Sequence, residues 1–258
     1  LKLGAEPAAS VGELAQSGDV ICTCLSMPED VSLVYSGSNG IIEHARPGAV
    51  CLDFTTVDPA TSKAIYGQAK ARGISYLDCP VSGGPEGAEQ GTLTIMVGGE
   101  KGAYETCSRL LGALGATVEY LGPPGSGSIA KLINQYLVAV HSLAVSEAMV
   151  TGASFGLDAE QLVNILKVSY GDSKILRRHM EEYLFPRRFQ PGGAVKYVHK
   201  DIRLANRLFR EAGLAEFTGQ MAEAAFRNAA LQGLNDLDMS AVIRPLEELC
   251  NVVVGKKE

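Results

Sequence analysis

Residues 125–135 read GSGSIAKLINQ, and the reading of this stretch decides how the chain is organised. Gly125, Gly127 and Ala130 fit G-x-G-x-x-A, the pattern that sets a pyrophosphate on a helix N-terminus. A strand is expected just ahead of it, over 117–121, and an acidic residue, Glu147, follows at a remove of about 20 residues. Such a loop belongs to a βαβ unit of about 30 residues, so a second strand should follow the helix. None does. From Ser126 to about Ala153 there is no proline, and Glu147 falls in the middle of a helical pattern. The nucleotide-loop reading fails on this context. The glycines instead let a tight turn enter a helix and let backbone approach something closely.

In that helix Leu132, Ile133, Leu137, Val140, Leu143, Val145, Met149 and Val150 cannot share one face, and a helix apolar all round is expected to be buried all round. At ~1.5 Å per residue it would span roughly 40 Å, enough to pass from one domain into another. Upstream of it, apolar runs at 19–25, 48–54, 74–80, 92–99 and 117–121 alternate with helical patterns starting at Pro28 and spanning 58–73 and 100–115. That alternation predicts an α/β sheet covered on both faces. Downstream only helices are expected: 158–169, 174–184, 195–212, 216–232 and a last one from about 239. The predicted class is α/β followed by all-α, divided as 1–123, 124–154 and 155–258.

The chain has 258 residues, 46% of them hydrophobic, and a net charge of −6. A packed core is expected, and the negative charge speaks against nucleic acid or an anionic membrane as partner. No continuous apolar run approaches the ~18 residues of a membrane span. The opening LKLGAEPAAS lacks the basic and apolar regions of a signal peptide, and it begins without methionine. Of the six cysteines, Cys22 and Cys24 share one side of a predicted strand. With no second pair or histidine cluster beside them, they read as core filler rather than metal ligands. No metal site is expected, and a reduced, intracellular setting follows.

Two groups of residues ask for chemistry. Lys131, Asn134 and Gln135 project from one face of the long helix. A lysine held in an apolar place must be paired or have a lowered pKa, which suits it to acid–base work. The glycine-rich segment 78–99, DCPVSGGPEGAEQGTLTIMVGG, joins two predicted strands. Its Ser82-Gly83-Gly84 offers a hydroxyl and unencumbered amides, a cradle for a small carboxylate. No G-x-S-x-G surrounds Ser82, so a serine hydrolase is not indicated.

Together with CLDFTTVDP at 51–59 and KDIRLA at 200–205, these stretches resemble the β-hydroxyacid dehydrogenase family, in the family's order and over essentially the whole chain. The resemblance implies a Rossmann-type domain, here without its first β-α-β portion, a long interdomain helix and a helical domain for substrate and dimer contacts. It implies NAD or NADP as cofactor. It makes Lys131 the catalytic acid/base and gives Ser82, Gly83 and Gly84 the substrate carboxylate. The orienting amide, usually asparagine four residues after the lysine, falls to Gln135 or to Asn134 before it. Leu25, Ser26 and Thr56 match positions lining the nicotinamide side, and Lys200 matches a lysine near the cofactor, with Asp201 beside it.

Two departures stand out. The family's opening strand and G-x-G-x-x-G loop are not in this sequence, which is expected to enter the fold after the second strand. Eight residues before Asp201, where the family often has an aromatic residue lining the substrate pocket, stands Gly193. The implied reaction is oxidation of a small β-hydroxy acid or reduction of the matching aldehyde acid. The alternatives are an imine or semialdehyde reductase on the same fold and a non-catalytic scaffold. A homodimer or homotetramer in the cytoplasm is expected, with an organelle left open.

Overall fold

Short apolar runs bounded by capping residues become the elements of an α/β layer structure. The computed structural model describes residues 4–255; the first three residues of the segment read for a leader lie outside them. The chain forms two units, Leu1–Leu132 and Ile133–Glu258.

In the first unit α1 (Val11–Ser17) starts where the Ser10 hydroxyl accepts from the Glu13 amide. It precedes β1 (Val20–Thr23), α2 (Pro28–Ser36), α3 (Ile41–His44) and β2 (Val50–Asp53). Next come α4 (Pro59–Ala71), capped by Asp58 with proline at its first turn, and β3 (Ser75–Asp78). Then follow β4 (Val81–Ser82), α5 (Gly84–Gln90), β5 (Thr94–Gly98), α6 (Lys101–Leu114) and β6 (Thr117–Gly122). Strands β1, β2 and β3 run parallel, whereas β5 meets β3 and β4 antiparallel and pairs with β6 in parallel.

The sheet is covered on both faces. Cys51 and Tyr76 join Ile21, Val31, Tyr35 and Ile65 in one core, while Leu52 and Leu77 join Ile95, Val97, Cys107 and Leu111 in another. This explains why β2 reads as a continuous apolar run up to Asp53 and is buried along its whole length. Strand β1 differs: Ile21 and Thr23 turn inward, and Cys22 and Cys24 are exposed. The core-filler reading of those two cysteines is therefore corrected. Cys22 points outward from β1, which ends the sheet, and Cys24 follows one residue beyond that strand.

The long helix α7 (Ser126–Ser154) begins in the first unit and ends in the second. Leu132, Ala139, Met149 and Val150 are buried, yet Ile133 and Leu137 are 45% and 46% exposed, so the helix is not buried all round within this chain. By length and composition α7 could cross a membrane, although its apolar residues are interrupted by Ser, Asn, Gln and Lys and form no continuous run. In its C-terminal half Val145, Met149 and Val150 pack into a core with Val163, Leu176, Met180, Leu184 and Ile243 from the helical segments that follow, though not from all of them. Those segments are α8 (Ala159–Leu166), α9 (Lys174–Arg178), which continues as a π-helical turn over His179–Leu184, and α10 (Val195–Glu211). The last are α11 (Gly219–Leu231) and, after a 3₁₀ turn at Met239–Ile243, α12 (Arg244–Cys250).

Candidate active site

The glycines of GSGSIAKLINQ serve close packing. A Cβ on Gly127 would lie 2.3 Å from the Met96 carbonyl and 2.6 Å from that of Asp78, so only glycine lets the start of α7 settle against β3 and β5. Gly125 has φ +91° and turns the chain into the helix. The Asp78 carboxylate then accepts from the Gly125 and Ser128 amides, both at 2.8 Å, and so caps the helix from another element. One turn further along, Lys131 is 7% exposed.

Asp78 also ends β3, and four residues on lies Ser82. Val81 and Ser82 pair with Ile95 and Thr94, which fixes the strand entering the glycine turn. Gly83 and Gly84 have φ +136° and +66° and are exposed, leaving their backbone open to a ligand. Within the first unit the structure thus links both halves of the candidate chemistry, the carboxylate cradle and the lysine helix, through Asp78.

A second buried carboxylate organises the ends of β1 and β2. Asp53 accepts from Thr23 Oγ1 at 2.9 Å, the Thr55 amide at 3.1 Å and the Tyr76 hydroxyl at 3.0 Å. Thr23 has a single proton, which goes to Asp53, so the Tyr35 hydroxyl 2.9 Å away donates to Thr23. Thr55 Oγ1 in turn accepts from the Leu25 amide. Burial raises the carboxyl pKa of Asp53, and the hydrogen bonds from Thr55, Thr23 and Tyr76 oppose it. The network holds the two loops on which Leu25, half-buried Thr56 and exposed Ser26 stand. These loops sit at the C-terminal ends of adjacent parallel strands, the edge where open α/β sheets take ligands.

In the second unit Asn134 Nδ2 donates to Gln135 Oε1 at 3.0 Å, and Gln135 Nε2 donates to Asp201 at 2.6 Å. Lys200 stands 3.1 Å from the other oxygen of Asp201, and both side chains are largely buried. The sequence reading placed Asp201 beside Lys200 without a task; here it orients Gln135. Gly193 lies on a loop whose amides at 192 and 193 donate to Asp238, itself in a bidentate pair with Arg178. A Cβ on Gly193 would fall 2.6 Å from the Met239 terminal methyl, so Met239 occupies that space. No cluster of potential metal ligands occurs among the described residues.

Residues 1–122 match the family model for the NAD binding domain of 6-phosphogluconate dehydrogenase. Residues 125–246 match the model for the NAD-binding domain of NADP-dependent 3-hydroxyisobutyrate dehydrogenase. The 2-(hydroxymethyl)glutarate dehydrogenase of Eubacterium barkeri is 33% identical, over 98% of this chain and 84% of its own. The chain belongs to the β-hydroxyacid dehydrogenase family. The NAD-dependent L-serine dehydrogenase of Pseudomonas aeruginosa is 33% identical as well, over 93% of this chain and 82% of that protein. Among solved structures, 3-hydroxyisobutyrate dehydrogenase of Mycobacterium tuberculosis with L-serine superposes with a TM-score of 0.84 at 28% identity. That match covers 93% of this chain and 83% of the other. As a member of this family the protein is an NAD(P)-dependent oxidoreductase, with a Rossmann-type part followed by an all-helical one.

Proposed function

We propose that the protein oxidises a primary alcohol β to a carboxylate, reversibly, in the manner of a 3-hydroxyisobutyrate-type dehydrogenase. The relatives named for 2-(hydroxymethyl)glutarate, L-serine and 3-hydroxyisobutyrate share one piece of substrate chemistry, a carboxylate whose α-carbon bears a hydroxymethyl group. They differ in what else that carbon carries. The observation that carries the reading is the burial of Lys131 on a helix clasped by the same aspartate that ends the strand before Ser82.

In this reading the domain over 1–123 holds NAD or NADP, with Leu25, Ser26 and Thr56 beside the nicotinamide and Lys200 near it. When bound, the nicotinamide supplies a hydride acceptor, or a donor in the reverse direction. Ser82, Gly83 and Gly84 bind the substrate carboxylate through hydroxyl and amide donors. Gln135, held by Asn134 and Asp201, orients the reacting hydroxyl. Lys131 in its amine form takes the hydroxyl proton as the carbonyl forms, and its ammonium form returns it in reduction. Exposed Ile133, Leu137, Phe155, Val168 and Leu249 support a homodimer or homotetramer as the working state. The cytoplasm is the setting that goes with it.

The test is nicotinamide absorbance with NAD⁺ or NADP⁺ and a panel of β-hydroxy acids. Lys131→Ala is expected to lower kcat by roughly 10²- to 10⁴-fold while the protein still binds nucleotide. Turnover close to wild type would refute the assignment of Lys131.

A further inference from the structure

We propose that Asp78 is a positioning residue of the reaction: one carboxylate sets the distance between the substrate cradle and the catalytic lysine. The inference rests on the roles proposed above for Lys131 and Ser82–Gly84 and assigns a task to a residue that neither of them includes.

Asp78 is 1% exposed. Its two oxygens are divided, one accepting from Gly125 and the other from Ser128, each at 2.8 Å. Its neighbours leave it no freedom. Gly98 stands opposite in the sheet, and a Cβ there would lie 2.7 and 2.8 Å from the carboxylate oxygens and 2.8 Å from the Gly127 nitrogen. The Ser128 hydroxyl is tied in turn to that of Ser62 on α4 at 2.9 Å.

Both routes away from Asp78 are short and stiff. Toward the substrate the chain passes Cys79, Pro80 and Val81 to Ser82, and the last two of these are already paired to β5. Toward the lysine it runs three helical residues from Ser128, at ~1.5 Å each. A shift of the helix start relative to β3 would therefore be carried to Lys131 but not to Ser82. Ionised aspartate is suited to this joint because it accepts at both oxygens. Asparagine would offer one acceptor and turn its NH₂ against the other backbone N–H.

The experiment compares wild type with Asp78→Asn and, independently, Gly127→Ala, which forces the helix start away from the Met96 and Asp78 carbonyls. Nucleotide-binding sites are counted by fluorescence titration, and kcat is expressed per binding site, so that loss of folded protein cannot mimic loss of geometry. Both variants are expected to bind nucleotide within about twofold of wild type. Turnover per site should fall by about 10- to 100-fold, the range for displacing a reacting group by about 1 Å. Turnover per site within twofold of wild type in both variants would overturn the proposal, even if fewer sites survive. A wild type that binds nucleotide but turns over no β-hydroxy acid would overturn the underlying reaction, and this role with it.

Discussion

Asp53 is a buried carboxylate that touches nothing in the proposed chemistry, yet it fixes two loops that do. All of its partners are donors: Thr23, Tyr76 and the Thr55 amide. In Asp53→Asn one partner would face an NH₂ group, leaving a buried donor unsatisfied at a cost of about 1–3 kcal/mol. The loops bearing Leu25, Ser26 and Thr56 would loosen with it. The expected outcome is a lower melting temperature together with a raised KM for the nicotinamide cofactor and a smaller change in kcat. An unchanged cofactor KM would separate Asp53 from the cofactor loops. Little of this could be read beforehand. A lone Asp at the end of an apolar run gives no sign that a tyrosine 23 residues on will donate to it, because hydrogen bonds between elements follow from the register of β2 and β3. Lys131 and the glycine turn were legible because their unusual settings, a charge in an apolar helix and glycines beyond what a connection needs, are local.

Helices α10 and α11 approach so closely at one point that a side chain is excluded. Asn206 donates to the Gly219 carbonyl at 2.9 Å and to Glu223 at 2.7 Å, and a Cβ on Gly219 would fall 2.4 Å from Asn206 Oδ1 and from the Tyr136 ring. Tyr136 stacks on Phe209 at 4.1 Å and accepts from the Gly219 amide, so the ring cannot yield without disturbing both helices. Gly219→Ala should destabilise the protein by about 1–3 kcal/mol, the usual cost of overpacking. Denaturant unfolding would show it as a lower midpoint at unchanged slope, and an unchanged midpoint would contradict it. The long periodic elements were legible: 58–73 announced Pro59–Ala71 through its Asp cap and proline, and 195–212 announced Val195–Glu211. Helix α1 was overlooked although Ser10 and Glu13 carry a capping signal. The two-residue β4 and the seven-residue α5 lay inside the glycine-rich segment, where sheet pairing rather than local preference decides. The antiparallel entry of β5 was likewise a tertiary outcome, invisible to periodicity.

Across the whole molecule the buried ionisable groups pull the pH dependence of stability in opposite directions. His179 is fully buried at the start of the π-helical turn, with Nε2 3.0 Å from Ser142 Oγ. Ser142 donates its own proton to the Val138 carbonyl, so Nε2 must carry the hydrogen and Nδ1 is left bare toward the Arg178 guanidinium 3.5 Å away. Protonating Nδ1 would bury a second positive charge beside the first. Burial, reinforced by Arg178, lowers the His179 pKa to about 3 from an ordinary 6.5, with Asp238 opposing. The unfolded chain therefore binds a proton on this residue that the folded one refuses. Its contribution to stability is intact above pH 6.5 and is lost as pH falls toward 3, by at most about 1.4 kcal/mol per pH unit. Asp53 and Asp78 act the other way. Burial raises both, so their contribution is present at low pH and lost as pH rises through their folded pKa values. A single unfolding curve would blur these effects, but a variant isolates one. His179→Gln keeps an NH donor toward Ser142 and removes the titration. Between pH 6.5 and 5, wild type should lose about 1–2 kcal/mol more than His179→Gln in urea unfolding, while the two respond alike between pH 7 and 8. Parallel curves over the acidic range would mean that His179 takes up its proton in the fold, and that the pairing of Arg178 with Asp238 tolerates a neighbouring imidazolium.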